Sequence, residues 1–105
     1  MAAKARKKKV KPAIEIEYCT RCRWLMRAGW MAQELLATFE NDVAAVTLKP
    51  NAEGGVFEVR VGAKKVWSRK RESRFPEIRE LKQRVRDVVA PGRDLGHVDR
   101  SGGAS

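Results

Sequence analysis

The amino-acid sequence predicts a two-layer α/β sandwich in which a mixed four-stranded sheet carries two helices on one face. Short runs of alternating apolar and polar residues predict the strands, and two segments with apolar residues at helical spacing predict the helices. The charged residues within the first and third predicted strands are Glu15, Glu17, Glu58 and Arg60. Burying them beneath a second helical layer would be costly, so the opposite face of the sheet is expected to face water.

The first two predicted elements are a strand and a long helix. The strand covers residues 13 to 18, where Ile14, Ile16 and Tyr18 share one face. The helix is predicted from about Cys22 to Phe39. Its buried stripe comprises Trp24, Ala28, Met31, Leu35 and Phe39, with Leu25, Ala32 and Leu36 beside it.

Three further strands follow the turn residues Asn41-Asp42. Val43 to Leu48 is β-branched and apolar, and Pro50 is predicted to end it. The strand-helix-strand unit implies a right-handed parallel crossover. Val56 to Val61 alternates again, and Gly62-Ala63 suits a two-residue hairpin turn into Lys64 to Ser68. The last two strands are therefore expected to be antiparallel.

The second helix opens at Phe75-Pro76-Glu77, because proline in a first helical turn loses no hydrogen bond. Its buried stripe comprises Ile78, Leu81, Val85 and Val88. Pro91-Gly92 ends it. We therefore divide the chain into a disordered basic arm (1–12), one domain (13–90) and a flexible Gly-rich tail (91–105) that contains His97.

The net charge of +10 is concentrated in two blocks rather than along a groove. Residues 4 to 11 carry six Lys or Arg and no acid, and residues 64 to 74 carry six against Glu72. The arm could contact nucleic acid only nonspecifically, through phosphates, and no helix rich in Asn, Gln and Arg predicts base reading. The second block could attract an anionic partner, although a solvated loop is the simpler interpretation.

The predicted compartment is the cytoplasm. Residues 1 to 12 are basic but lack the apolar stretch of a secretory signal, and no apolar run is long enough to span a membrane. A soluble protein in a reducing compartment follows, so a permanent disulfide between the two cysteines of the chain is not expected.

Those two cysteines form a Cys-x-x-Cys motif, Cys19-Thr20-Arg21-Cys22, between the first strand and the first helix. Backbone N–H groups and the positive end of a helix would favour the thiolate form of either residue. Arg21 and Arg23 would add positive potential. Geometry favours Cys19 as the exposed nucleophile and Cys22 as the buried resolving thiol.

A zinc site or an inert structural pair would also account for a Cys-x-x-Cys motif. Zinc needs four ligands, and the chain offers Cys19, Cys22 and His97 unless two copies share their cysteines. An inert pair would simply pack as two small apolar side chains. Trp24 lies beside the thiols, and it could shield them or form part of a docking surface, although a tryptophan on an amphipathic helix is more often a core residue.

The order of elements matches the minimal thioredoxin-like core, which places its Cys-x-x-Cys at the same junction. More specifically, Tyr18-Cys19-Thr20-Arg21-Cys22 together with Gly55-Val56-Phe57-Glu58-Val59 resembles the selenoprotein W, T and H (Rdx) family of thioredoxin-like proteins. The resemblance covers about residues 13 to 90. It implies a thiol-based redox role linked to glutathione or peroxide.

Two departures from related proteins qualify what the resemblance implies. Eukaryotic relatives often carry selenocysteine at the second position of the motif, where this chain has Cys22, so Cys22 could be the attacking group. Thioredoxins place a cis-proline just before the third strand, where this chain has Gly54-Gly55. Docking of substrates in the thioredoxin manner is therefore not expected to carry over.

The function predicted from the sequence is that of a small thiol-disulfide oxidoreductase. It would act on protein or glutathione disulfides or on peroxide through Cys19 and Cys22, with no resident cofactor or metal and with glutathione as a co-substrate. The alternative is a redox-sensitive interaction module that docks on partners without turning over. The sequence does not predict an oligomeric state.

Overall fold

The chain forms a mixed four-stranded sheet with its two long helices packed on one face, in a computed structural model whose described residues are 10–96. The strands are β1 (Ala13–Cys19), β2 (Ala45–Asn51), β3 (Phe57–Val61) and β4 (Lys64–Ser68), and the helices are α1 (Leu25–Phe39), α2 (Arg69–Glu72) and α3 (Ile78–Val89). Most of the basic arm, and the tail from His97, lie outside the described residues.

The sheet has the order β2-β1-β3-β4. Strand β1 pairs in parallel with β2 and antiparallel with β3, which in turn pairs antiparallel with β4. This arrangement confirms the predicted thioredoxin-like sandwich. It also makes β1 a central strand, so its last residue, Cys19, lies in the interior of the sheet.

Strand β2 extends further than predicted, because Pro50 lies within it instead of ending it. Pro50 pairs with Tyr18 in the parallel ladder. Proline lacks an N–H and is tolerated where that group would point away from the neighbouring strand, as it can on an edge strand. The ladder therefore continues to Asn51, which lies opposite Cys19.

Helix α1 begins at Leu25 and not near Cys22, so the predicted start of the helix was wrong by about one turn. Arg23 adopts a left-handed conformation, with φ of 60°, which interrupts a right-handed helix. The motif consequently lies in a turn between β1 and α1. The N–H groups around it come from this turn and from a neighbouring loop.

The core lies between the sheet and the helices, and the predicted stripes contribute most of it. Ala28, Met31, Leu35 and Phe39 of α1 are buried, as are Leu81 and Val85 of α3. Leu25 and Leu36, predicted to flank the stripe of α1, are instead 48% and 40% exposed. The apolar surface of α1 is therefore wider than the sheet beneath it.

The opposite face of the sheet carries the predicted charges as one connected network. The guanidinium of Arg60 donates to Glu15 and Glu17, each at 2.7 Å, and to Glu58 at 2.9 Å. Hydrogen bonds from Arg60 and Asn51 are the main reason that the pKa of Glu17 lies below its ordinary value. These ion pairs stabilise the four charged side chains on a partly solvated face. A second helical layer would have to bury the same charges.

Near the C-terminal end of the described residues, contacts continue beyond the predicted domain boundary. The guanidinium of Arg93 lies 2.6 Å from the Asp42 carboxylate and also donates to the carbonyl of Thr38. Leu95 packs against the core. Among residues 10–96, no helix has the length and apolar character needed to cross a membrane.

Candidate redox site

The Cys-x-x-Cys lies in a tight turn at one end of the central strand. The N–H of Thr20 donates to the carbonyl of Asn51 at 2.9 Å, and the N–H of Cys19 donates to that of Val56, also at 2.9 Å. The N–H of Arg23 closes the turn on the Thr20 carbonyl at 3.1 Å. The motif is therefore held between the end of β2 and the loop that precedes β3.

The two thiols differ in exposure, and in the sense opposite to the one predicted. Cys19 is fully buried, with none of its surface exposed, whereas Cys22 is only partly buried. Cys19 belongs to the central strand, so neighbouring strands and the loop before β3 enclose it. Cys22 lies in the turn after β1 and is the more exposed of the two thiols.

Hydrogen bonds converge on the sulfur of Cys19. The N–H of Cys22 lies 3.2 Å from Cys19 Sγ. Burial by itself raises the pKa of Cys19, but hydrogen bonds from the Cys22 side chain and from the N–H groups of Gly55, Cys22 and Arg21 outweigh it and hold that pKa below its ordinary value. The buried sulfur is therefore placed in a site that accommodates a thiolate.

Arg21 and Arg23 were predicted to favour the thiolate through their positive charge, and the structure indicates a different role for each. The backbone N–H of Arg21 helps to lower the pKa of Cys19, whereas the guanidinium groups of Arg21 and Arg23 are not among the main influences on that pKa. Both side chains are exposed to solvent, where water screens their charge. Arg23 has a conformational role instead, because its left-handed backbone turns the chain into α1.

The structure adds two residues that sequence reasoning did not assign to the site, Asn51 and Gly55. The side chain of Asn51 donates to Glu17 at 2.5 Å and accepts from the N–H of Glu53 at 2.8 Å, so it shapes the loop that follows β2. Gly55 adopts φ of 84°, and its backbone N–H is among the groups that lower the pKa of Cys19. The signal in the sequence that could have identified Gly55 was the pair Gly54-Gly55, since it stands where thioredoxins have cis-proline. No cis peptide bond occurs within residues 10–96.

Replacing Gly55 with alanine tests this assignment. A Cβ at Gly55 would meet open space, so any effect arises from the positive φ, which costs an L-residue about 1 kcal/mol. We expect Gly55→Ala to raise the pKa of Cys19, because the strained turn relaxes and withdraws its N–H. The thiolate absorbance of Cys19, followed against pH in a Cys22→Ser background, measures the change.

Gly54→Ala is the matched control, since its Cβ also meets open space and its φ is not positive. It should leave the pKa of Cys19 unchanged. Because the pKa of Cys19 lies below its ordinary value in the folded protein, the thiolate stabilises the fold at pH values above the ordinary thiol pKa. This stabilisation is lost as the pH falls through the pKa of Cys19 in the folded protein. Gly55→Ala should narrow the pH range over which this stabilisation is lost. Equal pKa values for Cys19 in Gly55→Ala and Gly54→Ala would contradict the role of the Gly55 N–H.

Trp24 belongs to an aromatic cluster beside the motif. It is partly buried and meets Phe75 edge to face, with ring centroids 4.8 Å apart, and Phe57 at 6.3 Å. The guanidinium of Arg69 lies 4.9 Å from its ring. These contacts assign Trp24 a packing role at the start of α1. Its part in docking stays a prediction.

No group of three or more metal-ligating side chains occurs among residues 10–96. His97, the third candidate zinc ligand, lies outside the described residues. Two surface clefts of about 320 and 410 Å³ are lined by different parts of the chain, around Asn41 and around Lys64. Neither cleft includes a residue of the Cys-x-x-Cys turn.

Comparison with known sequences and structures places this geometry in a family. The sequence profile of the Rdx family matches residues 13–87, which contain the whole sheet, the motif and most of α3. The chain belongs to the Rdx family. This membership confirms the resemblance predicted from the sequence and indicates a redox-related function of the thioredoxin-like type.

Two solved bacterial structures resemble this Rdx protein closely. A protein from Bordetella parapertussis is 51% identical, with a TM-score of 0.73 over 75% of this chain and 99% of its own. A selenoprotein W-related protein from Vibrio cholerae is 46% identical, with a TM-score of 0.73 over 76% of this chain and 99% of its own. None of the curated proteins matches the chain.

Proposed function

We propose that this Rdx protein is a cytoplasmic thiol-disulfide oxidoreductase in which Cys22 attacks the substrate and Cys19 resolves the intermediate. The asymmetry of the two thiols carries the proposal: Cys22 is partly exposed, whereas Cys19 is buried and its sulfur accepts a hydrogen bond from the Cys22 N–H. This assignment reverses the roles expected from the sequence. It agrees with the place of selenocysteine in related proteins.

In the proposed first step a thiolate at Cys19 takes the proton of the Cys22 thiol as the sulfur of Cys22 attacks a substrate disulfide. A mixed disulfide forms between Cys22 and one substrate sulfur, and the other substrate sulfur leaves as a thiolate. That leaving thiolate then takes the proton from Cys19.

In the second step the Cys19 thiolate attacks the sulfur of Cys22. The Cys19–Cys22 disulfide forms and the remaining substrate sulfur leaves as a thiolate, so the substrate has gained two electrons and the protein has lost two. Two molecules of glutathione, or a thioredoxin-type dithiol, return the protein to its dithiol form. The N–H groups around Cys19 support this step because they stabilise the attacking thiolate before the reaction.

Steady-state turnover tests the proposal. We expect the protein to reduce insulin disulfides or to consume peroxide when it is supplied with a glutathione or thioredoxin reducing system. The matched control is the Cys19→Ser, Cys22→Ser double variant, which keeps the fold and loses both thiols. If wild type and double variant give equal rates with every substrate, the enzymatic proposal fails.

One observation favours the alternative function, a redox-sensitive interaction module. Four of the five large apolar side chains that are exposed within residues 10–96 lie on α1, the helix that follows the motif: Leu25, Met26, Trp30 and Leu36. A module of this kind would bind a partner differently in its dithiol and disulfide forms while showing no turnover. The assay with the double variant separates the two functions.

A further inference from the structure

The first half of α1 presents apolar side chains to solvent directly beside the accessible thiol. Met26 is 82% exposed, and Leu25 and Trp30 are each 48% exposed. Met26 and Trp30 are four positions apart and lie on the same side of the helix. Exposed side chains of this size, gathered on one element, are typical of a protein-binding surface.

Three exposed arginines border this apolar patch, namely Arg21, Arg23 and Arg27, and none of them pairs with a carboxylate among the described residues. By contrast, Arg60, Arg74, Arg84 and Arg93 all contact Asp or Glu side chains. The Arg27 guanidinium lies 4.1 Å from the centroid of the Phe75 ring, a contact that leaves its charge uncompensated. The surface beside Cys22 is thus locally cationic.

The nearby carboxylates do not cancel this charge. Glu34, which is the acidic residue of α1, is engaged by the ammonium group of Lys82 at 2.8 Å. Glu53, on the loop that borders the motif, lies 3.8 Å from the ammonium group of Lys70. A partner that brings its own carboxylates would therefore compensate the three arginines.

We propose that this surface, formed by Leu25, Met26, Trp30, Arg21, Arg23 and Arg27, docks protein substrates whose disulfide lies in a segment of apolar and acidic residues. The proposal rests on the proposed function and specifies its substrate class. Met26 and Trp30 supply apolar contact area, and the arginines supply electrostatic complementarity and faster association. A docked segment would present its disulfide to Cys22, which lies three residues before Leu25.

The test uses two synthetic peptides, each with one cysteine blocked as a mixed disulfide with mercaptoethanol. In one the cysteine is flanked by Leu and Glu, and in the other by Leu and Lys. The rate constant for reduction by the fully reduced protein is divided by that for hydroxyethyl disulfide, which is small and neutral. We expect the acidic peptide to react about tenfold faster than the basic one at low salt, with the difference shrinking as salt rises.

Variants separate the two parts of the surface. A Met26→Ser, Trp30→Ser variant should lower the normalised rate for both peptides about tenfold. An Arg23→Gln, Arg27→Gln variant should remove the preference for the acidic peptide. The controls are Leu36→Ser, an apolar change farther along α1, and Lys64→Gln, Lys65→Gln, which removes two charges on β4; both should keep the wild-type preference.

Equal normalised rates for the two peptides in wild type would overturn the proposal. So would a wild-type dimer in sedimentation analysis that Met26→Ser dissociates, because a second copy would then occupy this surface. Failure of the underlying function looks different. In that case wild type would reduce hydroxyethyl disulfide no faster than the Cys19→Ser, Cys22→Ser variant.

Discussion

Under the proposed function, replacing Cys22 with serine should abolish disulfide reduction, with a loss of roughly a thousandfold or more, because a serine hydroxyl cannot replace the attacking sulfur. Replacing Cys19 with serine should instead leave the first attack within about tenfold of wild type and stop the reaction at the mixed disulfide. The reason is geometric. Cys22 is partly exposed, whereas Cys19 is enclosed at the end of strand β1.

Mass spectrometry of the unreduced protein measures this difference. After incubation with a disulfide peptide, Cys19→Ser should carry one peptide on Cys22, and Cys22→Ser should carry none. Wild type should form the internal disulfide and release the peptide. A stable adduct on Cys19 in the Cys22→Ser variant would contradict the assignment and restore the roles predicted from the sequence. Circular dichroism of both variants checks that each remains folded.

Trp67→Ala should cause the largest loss of stability among substitutions outside the motif. Trp67 is fully buried, and its indole N–H donates to the carbonyl of Arg74 at 3.1 Å. The guanidinium groups of Arg84 and Arg74 lie 4.4 and 4.9 Å from its ring. Removing a buried aromatic side chain typically costs about 3–5 kcal/mol, a large part of the 5–15 kcal/mol that stabilises an ordinary domain.

Urea unfolding followed by circular dichroism measures this effect independently of tryptophan fluorescence. Trp30→Ala is the matched control, since it removes the same side chain from an exposed helical position, and we expect a change of about 0.5 kcal/mol or less. Trp67→Phe keeps most of the apolar volume, loses the hydrogen bond and should fall in between. Equal losses of unfolding free energy in Trp67→Ala and Trp30→Ala would show that the buried position of Trp67 on β4 is not critical for stability.

Much of the fold could be predicted because its signals are local. Alternation of Ile14 and Ile16 with charged residues identified β1, and the Gly62-Ala63 turn identified the hairpin, where Gly62 adopts φ of 60°. The less regular parts were missed. Neither the bulge of β4 nor the short helix α2 was predicted, because each depends on how the end of the hairpin packs against α3.

The sequence predicted where the site lies in the fold but not how the groups of the site are arranged. The sequence correctly placed Cys19 and Cys22 at the junction of β1 and α1. The influence of the Gly55 N–H on the pKa of Cys19 was missed because Gly55 lies on a loop more than thirty residues away in the sequence. Arg23 was interpreted through its charge, whereas its left-handed backbone sets where α1 begins.

By itself, then, the sequence determined the order of the four strands and the two long helices. It also determined which face of the sheet is exposed to solvent and which junction carries the Cys-x-x-Cys. These follow from side-chain periodicity and turn preference, which act over a few residues. Only the tertiary structure decided which thiol is accessible. Burial of Cys19 requires β2, the loop before β3 and the turn after β1 to close around one sulfur, and contacts between distant segments leave no periodic trace in the chain.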